Sequence, residues 1–324
     1  MKELFSTDKK ILYHLDLNAK QSLRALGKKV GLSKSVVQYR MKRLEERGII
    51  KNYYTFIDFN KLGYTNISIQ IIYQYYTPEK EQEIINYFIN NNKTWFVANV
   101  QGKYDLIVMF TVQDMNQFFS FWKQTLKKFR YHFEKAEIAF FTRTIHLPKS
   151  YLIEADQQKK EQNLLKISHA NKNIIQDIDF KILKEISLNP RKPLTNIAEK
   201  YEISSVTIAN RIRNLEKKEI IKGYKINIDY TKLGMQLFNV QYNLKNYDNI
   251  KKIIQYAIQN SNLISISEVI GNCDLSLNYH MPNYLLIHPV INNLLKTFPD
   301  DIKNRITTSY PTIYKSNRIT ELKN

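Results

Sequence analysis

One cysteine in 324 residues, Cys273, leaves no room for an internal disulfide framework or a cysteine-clustered metal site. Glycine is equally scarce, at eight residues, and none of them forms a Gly-rich phosphate loop. No paired-histidine metal motif and no nucleophile elbow occurs either. The six histidines (His14, His132, His146, His169, His280 and His288) are scattered, with no repeat-related pairing. These absences predict no catalytic residue, metal or cofactor, and hence a protein that is not an enzyme. No run approaches the roughly 18 consecutive apolar residues of a spanning helix. The opening Met-Lys-Glu-Leu-Phe-Ser-Thr-Asp-Lys-Lys lacks the apolar core of a secretory signal. A soluble, cytoplasmic protein with no membrane partner is therefore expected. Acidic residues are also in deficit, with 30 Asp+Glu against 49 Lys+Arg and a formal charge of +19. That excess favours a polyanionic partner, since each phosphate contacted releases condensed counterions. Richness in Lys, Ile, Asn and Tyr also follows from base composition, so charge alone does not establish nucleic acid.

What the chain does contain is a repeat of itself. Residues 8–63 align without a gap on 179–234 at a constant offset of 171 (Ile11 onto Ile182), with 21 of 56 positions identical. Identities include Asp8/Asp179, Ser33/Ser204, Arg40/Arg211, Leu44-Glu45/Leu215-Glu216, Ile49-Ile50-Lys51/Ile220-Ile221-Lys222 and Lys61-Leu62-Gly63/Lys232-Leu233-Gly234. Codon bias does not produce such a register, so the two halves are duplicates. Polar residues 151–175 read as a linker; a helix packing through Leu164, Leu165 and Ile167 is the alternative.

In each copy the pattern predicts three short helices. Ile11, Leu12 and Leu15 mark the first; Leu23, Leu26 and Val30 mark the second, which Gly31 ends. The third is capped by Ser33, faces inward with Val37, Met41 and Leu44, and stops at Gly48. A tight turn between the last two helices is a helix-turn-helix, followed by short strands at Tyr53–Ile57 and 227–229 as a small wing. The outward face of the third helix decides what the unit binds. It carries Ser33, Lys34, Ser35, Val36, Gln38, Tyr39 and Lys42, with Arg40 and Arg43 beside them. Lys and Arg suit phosphates or guanine edges, Gln suits adenine, and Val36 suits a thymine methyl. The corresponding face in copy two is Ser204, Ser205, Val206, Thr207, Ala209, Asn210, Arg211 and Arg213. Residues 20–51 hold ten Lys/Arg and two Glu, whereas 191–222 hold eight and four, so copy two should bind DNA more weakly. Glu202 and Glu219 stand where copy one has Gly31 and Gly48.

Each helix-turn-helix precedes a β-α-β-β-α-β order, a ferredoxin-like split sheet with both helices on one face. Copy one reads as strand 67–73, a helix through Ile84, Ile85 and Phe88, strands 95–101 and 106–112, helix 118–129 and a last strand. Copy two matches it, with a helix at 285–298 containing Pro289. The open face of each sheet needs a cover, and the sister domain is the obvious one. The architecture expected is α+β: helix-turn-helix 1–60, ferredoxin-like domain 61–150, linker 151–175, helix-turn-helix 176–231 and ferredoxin-like domain 232–324. The loop Gly102-Lys103-Tyr104-Asp105 recurs as Gly271-Asn272-Cys273-Asp274. It reads equally as a hairpin turn, with Gly at positive φ and Asp bonding local backbone, or as a ligand loop whose Asp holds an amine and whose bare N–H groups hold a carboxylate.

Together these motifs (Asp-Lys-Lys-Ile-Leu, Gly-Leu-Ser, Tyr-Arg-Met-Lys-Arg-Leu-Glu, Gly-Ile-Ile-Lys, Lys-Leu-Gly and Gly-Lys-Tyr-Asp) resemble the Lrp/AsnC (feast/famine) family of prokaryotic regulators. The resemblance covers nearly the whole chain, twice. It implies winged helix-turn-helix and RAM-type sensing domains, dimerisation through both, double-stranded DNA as partner, and an amino-acid effector. It also implies homo-oligomers, here a dimer of pseudo-dimers. Gly102, Tyr104 and Asp105 match the family's loop. In copy two only Gly271 and Asp274 do, with Cys273 at the aromatic position. Most relatives carry one unit per chain, so this fusion implies a pseudo-dimer reading an asymmetric site. Two other readings compete: a fused sirohaem decarboxylase, since those enzymes also look like paired Lrp-like subunits, and a sensor whose helix-turn-helix units serve only dimerisation.

Overall fold

The computed structural model describes residues 4–154, 164–168 and 173–316. Copy one opens with α1 (Ser6–Leu17), α2 (Leu23–Val30) and α3 (Lys34–Glu46), and copy two repeats them as α6 (Asp177–Ser187), α7 (Leu194–Tyr201) and α8 (Ser205–Lys217). The expected apolar positions are the buried ones. Ile11, Leu12, Leu15, Leu26, Val37 and Leu44 lie in the same hydrophobic core as Ile182, Leu183, Ile186, Ile197, Ile208 and Leu215. Neither three-helix unit thus has a core of its own.

The wings explain this merger. β1 (Ile50–Ile57) pairs antiparallel with β7 (Ile221–Ile228), not with a strand of its own copy. The bonds that close this ribbon recur across the repeat. Asp58 N–H donates to the Ile220 carbonyl and Asp229 N–H to the Ile49 carbonyl, each at 2.8 Å. Lys61 Nζ reaches the Lys218 carbonyl at 3.1 Å and Lys232 Nζ the Arg47 carbonyl at 2.6 Å. The recurrent Lys-Leu-Gly motif therefore places a lysine that caps the end of the other copy's third helix, where carbonyls lack intrahelical partners.

The sensing halves form one closed barrel. Copy one supplies β2 (Thr65–Tyr73), α4 (Pro78–Asn90), β3 (Thr94–Gln101), β4 (Leu106–Val112), α5 (Met115–Phe129) and β5 (Phe133–His146). After β6 (Leu165–Ser168), copy two supplies β8 (Gln236–Leu244), α9 (Ile250–Ala257), β9 (Leu263–Ile270), β10 (Leu275–Met281), α10 (Tyr284–Thr297) and β11 (Ile302–Ser316). Strand order is β2-β4-β3-β11-β8-β10-β9-β5-β6, and an additional β2–β5 pairing closes eight strands into a ring. The long last strands make the closure. β5 pairs with β2 through Phe133–Phe140, then with β9 through Phe140–His146. β11 does the same with β8 and then β3. Strand alternation sends Ile67, Ile69, Ile71, Leu106, Val108 and Phe110 outward beneath the helices. The inward set mixes buried polar residues, including Ser68, Gln70, Asn239, Gln241 and Ser276, with apolar ones such as Val100, Ile107 and Val269.

Leu165 and Ile167 form no helix: Leu-Lys-Ile-Ser alternates and adds a strand to the free stretch of β5 at Arg143–His146. The rest of the expected linker, 155–163 and 169–172 with His169, lies outside the described residues. The proposed glycine stops keep their geometry without glycine. Glu202 and Glu219 both sit at φ 54°, against 69° and 63° for Gly31 and Gly48. Glu219 gains ion pairs with Lys61 at 2.9 Å and Lys222 at 3.1 Å, whereas Glu202 is exposed. A Cβ in the left-handed region costs about 1 kcal/mol. Glu202→Gly should therefore stabilise the helix-turn-helix pair by about 0.5–1 kcal/mol, read as a higher denaturant midpoint. An unchanged or lower midpoint would refute the strain.

Candidate nucleic-acid interface and sensing region

The reading helices are positioned by caps and by ion pairs. Ser22 Oγ accepts from Ala25 N–H at 3.1 Å to start α2, and Gly31 ends it in the left-handed conformation. Ser33 Oγ then accepts from Val36 N–H at 3.3 Å, and Ser204 Oγ from Thr207 N–H at 3.0 Å. With Val37, Met41 and Leu44 buried, α3 presents Ser33, Lys34, Ser35, Val36, Gln38, Tyr39, Lys42 and Arg43 to solvent. On α8, Ser204, Val206, Thr207, Asn210 and Arg213 are exposed, while Ser205 and Ala209 are half-buried. Copy two thus shows one free-standing cation on this face, and that guanidinium donates to Asn210 at 2.7 Å.

Arg40 and Arg211 are half-buried and make ion pairs within the protein. Arg40 Nη1 lies 2.8 Å from Asp8 Oδ1, and Arg211 Nη1 lies 3.1 Å from Asp179 Oδ1. Each ties the third helix to the first. The signal was in the repeat itself, since all four residues are among the identities. A second recurrent device holds the copies together. Tyr53 Oη donates to Glu45 at 2.5 Å beneath the Arg191 guanidinium, 4.3 Å from the ring centre. At the repeat offset, Tyr224 Oη donates to Glu216 at 2.5 Å beneath Lys20, at 4.6 Å. The two reading helices are thereby fixed to one rigid ribbon.

The glycine–aspartate loops are where the halves of the barrel touch. Gly102 (φ 143°) and Gly271 (φ 134°) have no room for a side chain, because a Cβ would meet the Thr307 carbonyl at 2.6 Å and the Ile138 carbonyl at 2.5 Å. Asp105 Oδ2 accepts from Tyr73 N–H at 2.8 Å, and Asp274 Oδ2 from Leu244 N–H at 2.7 Å. In both copies one carboxylate oxygen thus holds a backbone N–H at a strand end. Tyr104 is buried and donates to Glu137 at 2.5 Å. Burial pushes the Glu137 carboxyl up, but hydrogen bonds from Lys103, Lys135 and Tyr104 hold it down at about 2. Asn272 bridges the halves, donating to Gln70 at 2.8 Å and to Gln241 at 3.1 Å. Cys273 is packed inside, its thiol pushed up to about 12 by burial.

A half-open cavity of about 310 Å³, not foreseen from the sequence, lies between the barrel and the crossed wings. Phe56, Trp95, Phe96, Phe141 and Tyr310 wall it, with Arg143, His146, Lys149 and Lys225 as its cationic or titratable groups. Arg143 pairs with Glu268 at 2.9 Å. Lys149 and Lys225 share one carboxylate, fully buried Asp16, at 2.5 and 3.4 Å. Burial pushes Asp16 up, but Lys149 and Lys225 together hold it below the usual carboxylate range. Next to this cluster His280 is buried, its Nδ1 2.9 Å from Tyr151 Oη and its ring 4.2 Å from that of Tyr230.

Burial and the Lys149 charge push His280 down to about 3, against a slight opposing pull from Asp16. Its folded pKa is thus below the unfolded value of 6.5. The stability it lends is complete above about 6.5 and is lost as pH falls toward about 3, with a limiting slope of about 1.4 kcal/mol per pH unit. His280→Gln should flatten that part of the stability–pH curve between pH 6.5 and 5. Parallel curves for variant and native chain would contradict the assignment.

The comparisons with known proteins follow this geometry. A family model described as winged helix-turn-helix DNA-binding matches residues 4–51 and again 175–222. The transcriptional regulator Ptr1 of Methanocaldococcus jannaschii is 32% identical over 108 residues, which is 33% of this chain and 72% of Ptr1. LrpB of Bacillus subtilis is 25% identical over 122 residues, 38% of this chain and 82% of LrpB. Each relative is thus the length of about one repeat. The crystal structure of the siroheme decarboxylase NirDL superposes on the duplicated whole, with a TM-score of 0.68, 12% identity, and coverage of 98% of this chain and 94% of that one. This overturns the expectation, drawn from scattered histidines, that the chain is no enzyme: the same end-to-end architecture belongs to one. Among the described residues no helix is long and apolar enough to cross a membrane. The duplicated wings, the merged core, the family model in both halves and the regulator relatives agree, and the chain belongs to the Lrp/AsnC family of helix-turn-helix transcriptional regulators, in a tandem-duplicated form.

Proposed function

We propose that this protein is a cytoplasmic, sequence-specific DNA-binding regulator in which one chain acts as a pseudo-dimer on an asymmetric site, with a small molecule as effector. The observation that carries the reading is the contrast between two identically mounted helices. Lys34, Gln38, Lys42 and Arg43 on α3 face solvent where α8 offers Ser205, Ala209, Arg213 and Asn214. Two-fold dimers read palindromes because their reading helices are alike; these are not. Copy one supplies most of the affinity, and Ser204, Val206, Thr207, Asn210 and Arg213 of copy two read a different half-site. Association of two such chains into a dimer of pseudo-dimers completes the family's assembly. Anisotropy titrations of the full chain against genomic duplexes at two salt concentrations test this. Affinity that falls steeply with salt supports the reading, and no binding even in dilute buffer would refute it.

A second reading has its own observation. The cavity gathers Arg143, His146 and Lys149, groups suited to the carboxylates of a tetrapyrrole, in a fold shared with a siroheme decarboxylase that was also solved with an iron-uroporphyrin III analogue. Under this reading the basic face of α3 has no assigned task. Incubation with a tetrapyrrole carboxylic acid, followed by mass spectrometry for loss of carbon dioxide, decides it.

A further inference from the structure

Each glycine–aspartate loop commits one carboxylate oxygen to a strand-end N–H, and the cavity beneath the wings has the properties of a further ligand site. Its volume of about 310 Å³ falls at the lower end of ligand pockets, roughly 300–1,000 Å³. Its walls are aromatic, from Phe56, Trp95, Phe96 and Tyr310, with Thr144, Ser265, Ser267 and Asn278 along one side. Its charge is uneven: Lys225, buried, and Lys149, largely buried, face the carboxylate of Asp16, and burial together with the Lys149 charge pushes the Lys225 ammonium down. Lys149 is the closer partner, which leaves Lys225 the one with capacity for a second anion. A buried cation without full compensation is costly, so a ligand carboxylate entering here would relieve it.

We propose that this cavity binds one small aromatic carboxylate per chain, its carboxylate on Lys225 and its ring between the aromatic walls, and that occupancy biases the placement of the first helix-turn-helix. The inference deepens the effector part of the proposed function and rests on that reading for its second clause only. The coupling follows from where the three charges sit. Asp16 is on α1 of the first helix-turn-helix, Lys149 follows the first sensing domain, and Lys225 is on the wing of the second copy. A ligand that draws on the lysines therefore acts on the joint between reading and sensing units. The site occurs once, because the repeat offset places Ser187 opposite Asp16 and Tyr54 opposite Lys225.

Calorimetric titration of the full chain with phenylacetate and indole-3-acetate, and with the corresponding amides, tests the site. At least one acid should bind with a stoichiometry of one while its amide does not. Lys225→Met leaves Asp16 and Lys149 as a matched pair, so it should fold as the native chain does and bind the acid about tenfold or more weakly. Met109→Trp, which fills the cavity from β4, should abolish binding. No binding by either acid, equal binding of acid and amide, two sites per chain, or native binding by both variants would each overturn the site. Anisotropy with saturating acid should shift duplex affinity; an unchanged affinity would overturn the coupling. Acid binding in a chain that ignores DNA would uphold the cavity while sinking the regulator reading, so the two failures are distinguishable.

Discussion

Replacing Lys34, Gln38 and Lys42 together by alanine should lower duplex affinity by about 100-fold or more at modest salt and reduce the salt dependence by about two counterions. The magnitude follows from two cations and one base-edge amide on the exposed face of α3. A phosphate-bound lysine carries close to one unit of salt slope, and a base-reading contact is worth about 1–3 kcal/mol. The fold should be indifferent. None of the three supports the core, and the Lys42–Glu46 pair is a 3.8 Å surface contact, of a kind that contributes about 0–1 kcal/mol. Arg213→Ala on α8 should remove only about one counterion and far less affinity. Arg40→Ala should do the reverse, lowering stability through loss of the Asp8 tie. A triple variant that binds duplex as the native chain does would remove α3 from the interface.

Asp16→Asn should destabilise the chain by about 3–5 kcal/mol, the cost of leaving buried charge uncompensated. The asparagine keeps the volume and removes the carboxylate that Lys149 and Lys225 share, their side chains being 14% and 8% exposed. The triple change Asp16→Leu, Lys149→Met and Lys225→Met should recover most of that loss, because an apolar set of similar size needs no compensation. Denaturant unfolding followed by a helix signal gives the midpoints. If Asp16→Asn lowers stability by less than about 1 kcal/mol, water or rearrangement compensates the lysines and the cluster does not join the units as described.

Much of this architecture was legible because duplication doubles every signal. The 171-residue offset located both helix-turn-helix units. Alternation in 67–73 marked a strand whose outward and inward faces the barrel respects. The recurrence of Asp8 with Arg40, and of Glu45 with Tyr53, already contained the two pairings that the structure reveals, but a repeat shows that residues recur without showing whom they touch. Closure was not legible. A strand's period specifies which face is buried, not which strand lies beside it, so neither the exchange of β1 and β7 nor the bends of β5 and β11 across the ring were apparent. β6 is four residues long, too short for alternation to compete with a helical reading of Leu164, Leu165 and Ile167. The partners of the glycine-loop aspartates were not legible, because Tyr73 N–H and Leu244 N–H are backbone groups roughly 30 residues away. The cavity combines residues from both copies and both domain types, and no local motif announces such a site. Scattered histidines were a poor guide as well, since they gave no sign that the chain shares its fold with a decarboxylase.

The measurement that bears most directly on the account is selection of duplexes bound by the full chain from a random pool. Two unlike helices on one rigid ribbon predict a single non-palindromic motif, with α3 dictating the better-defined half and substitutions at Ser205, Ala209 and Asn210 altering only the other. Recovery of a perfect inverted repeat, or of no enriched sequence at all, would contradict it.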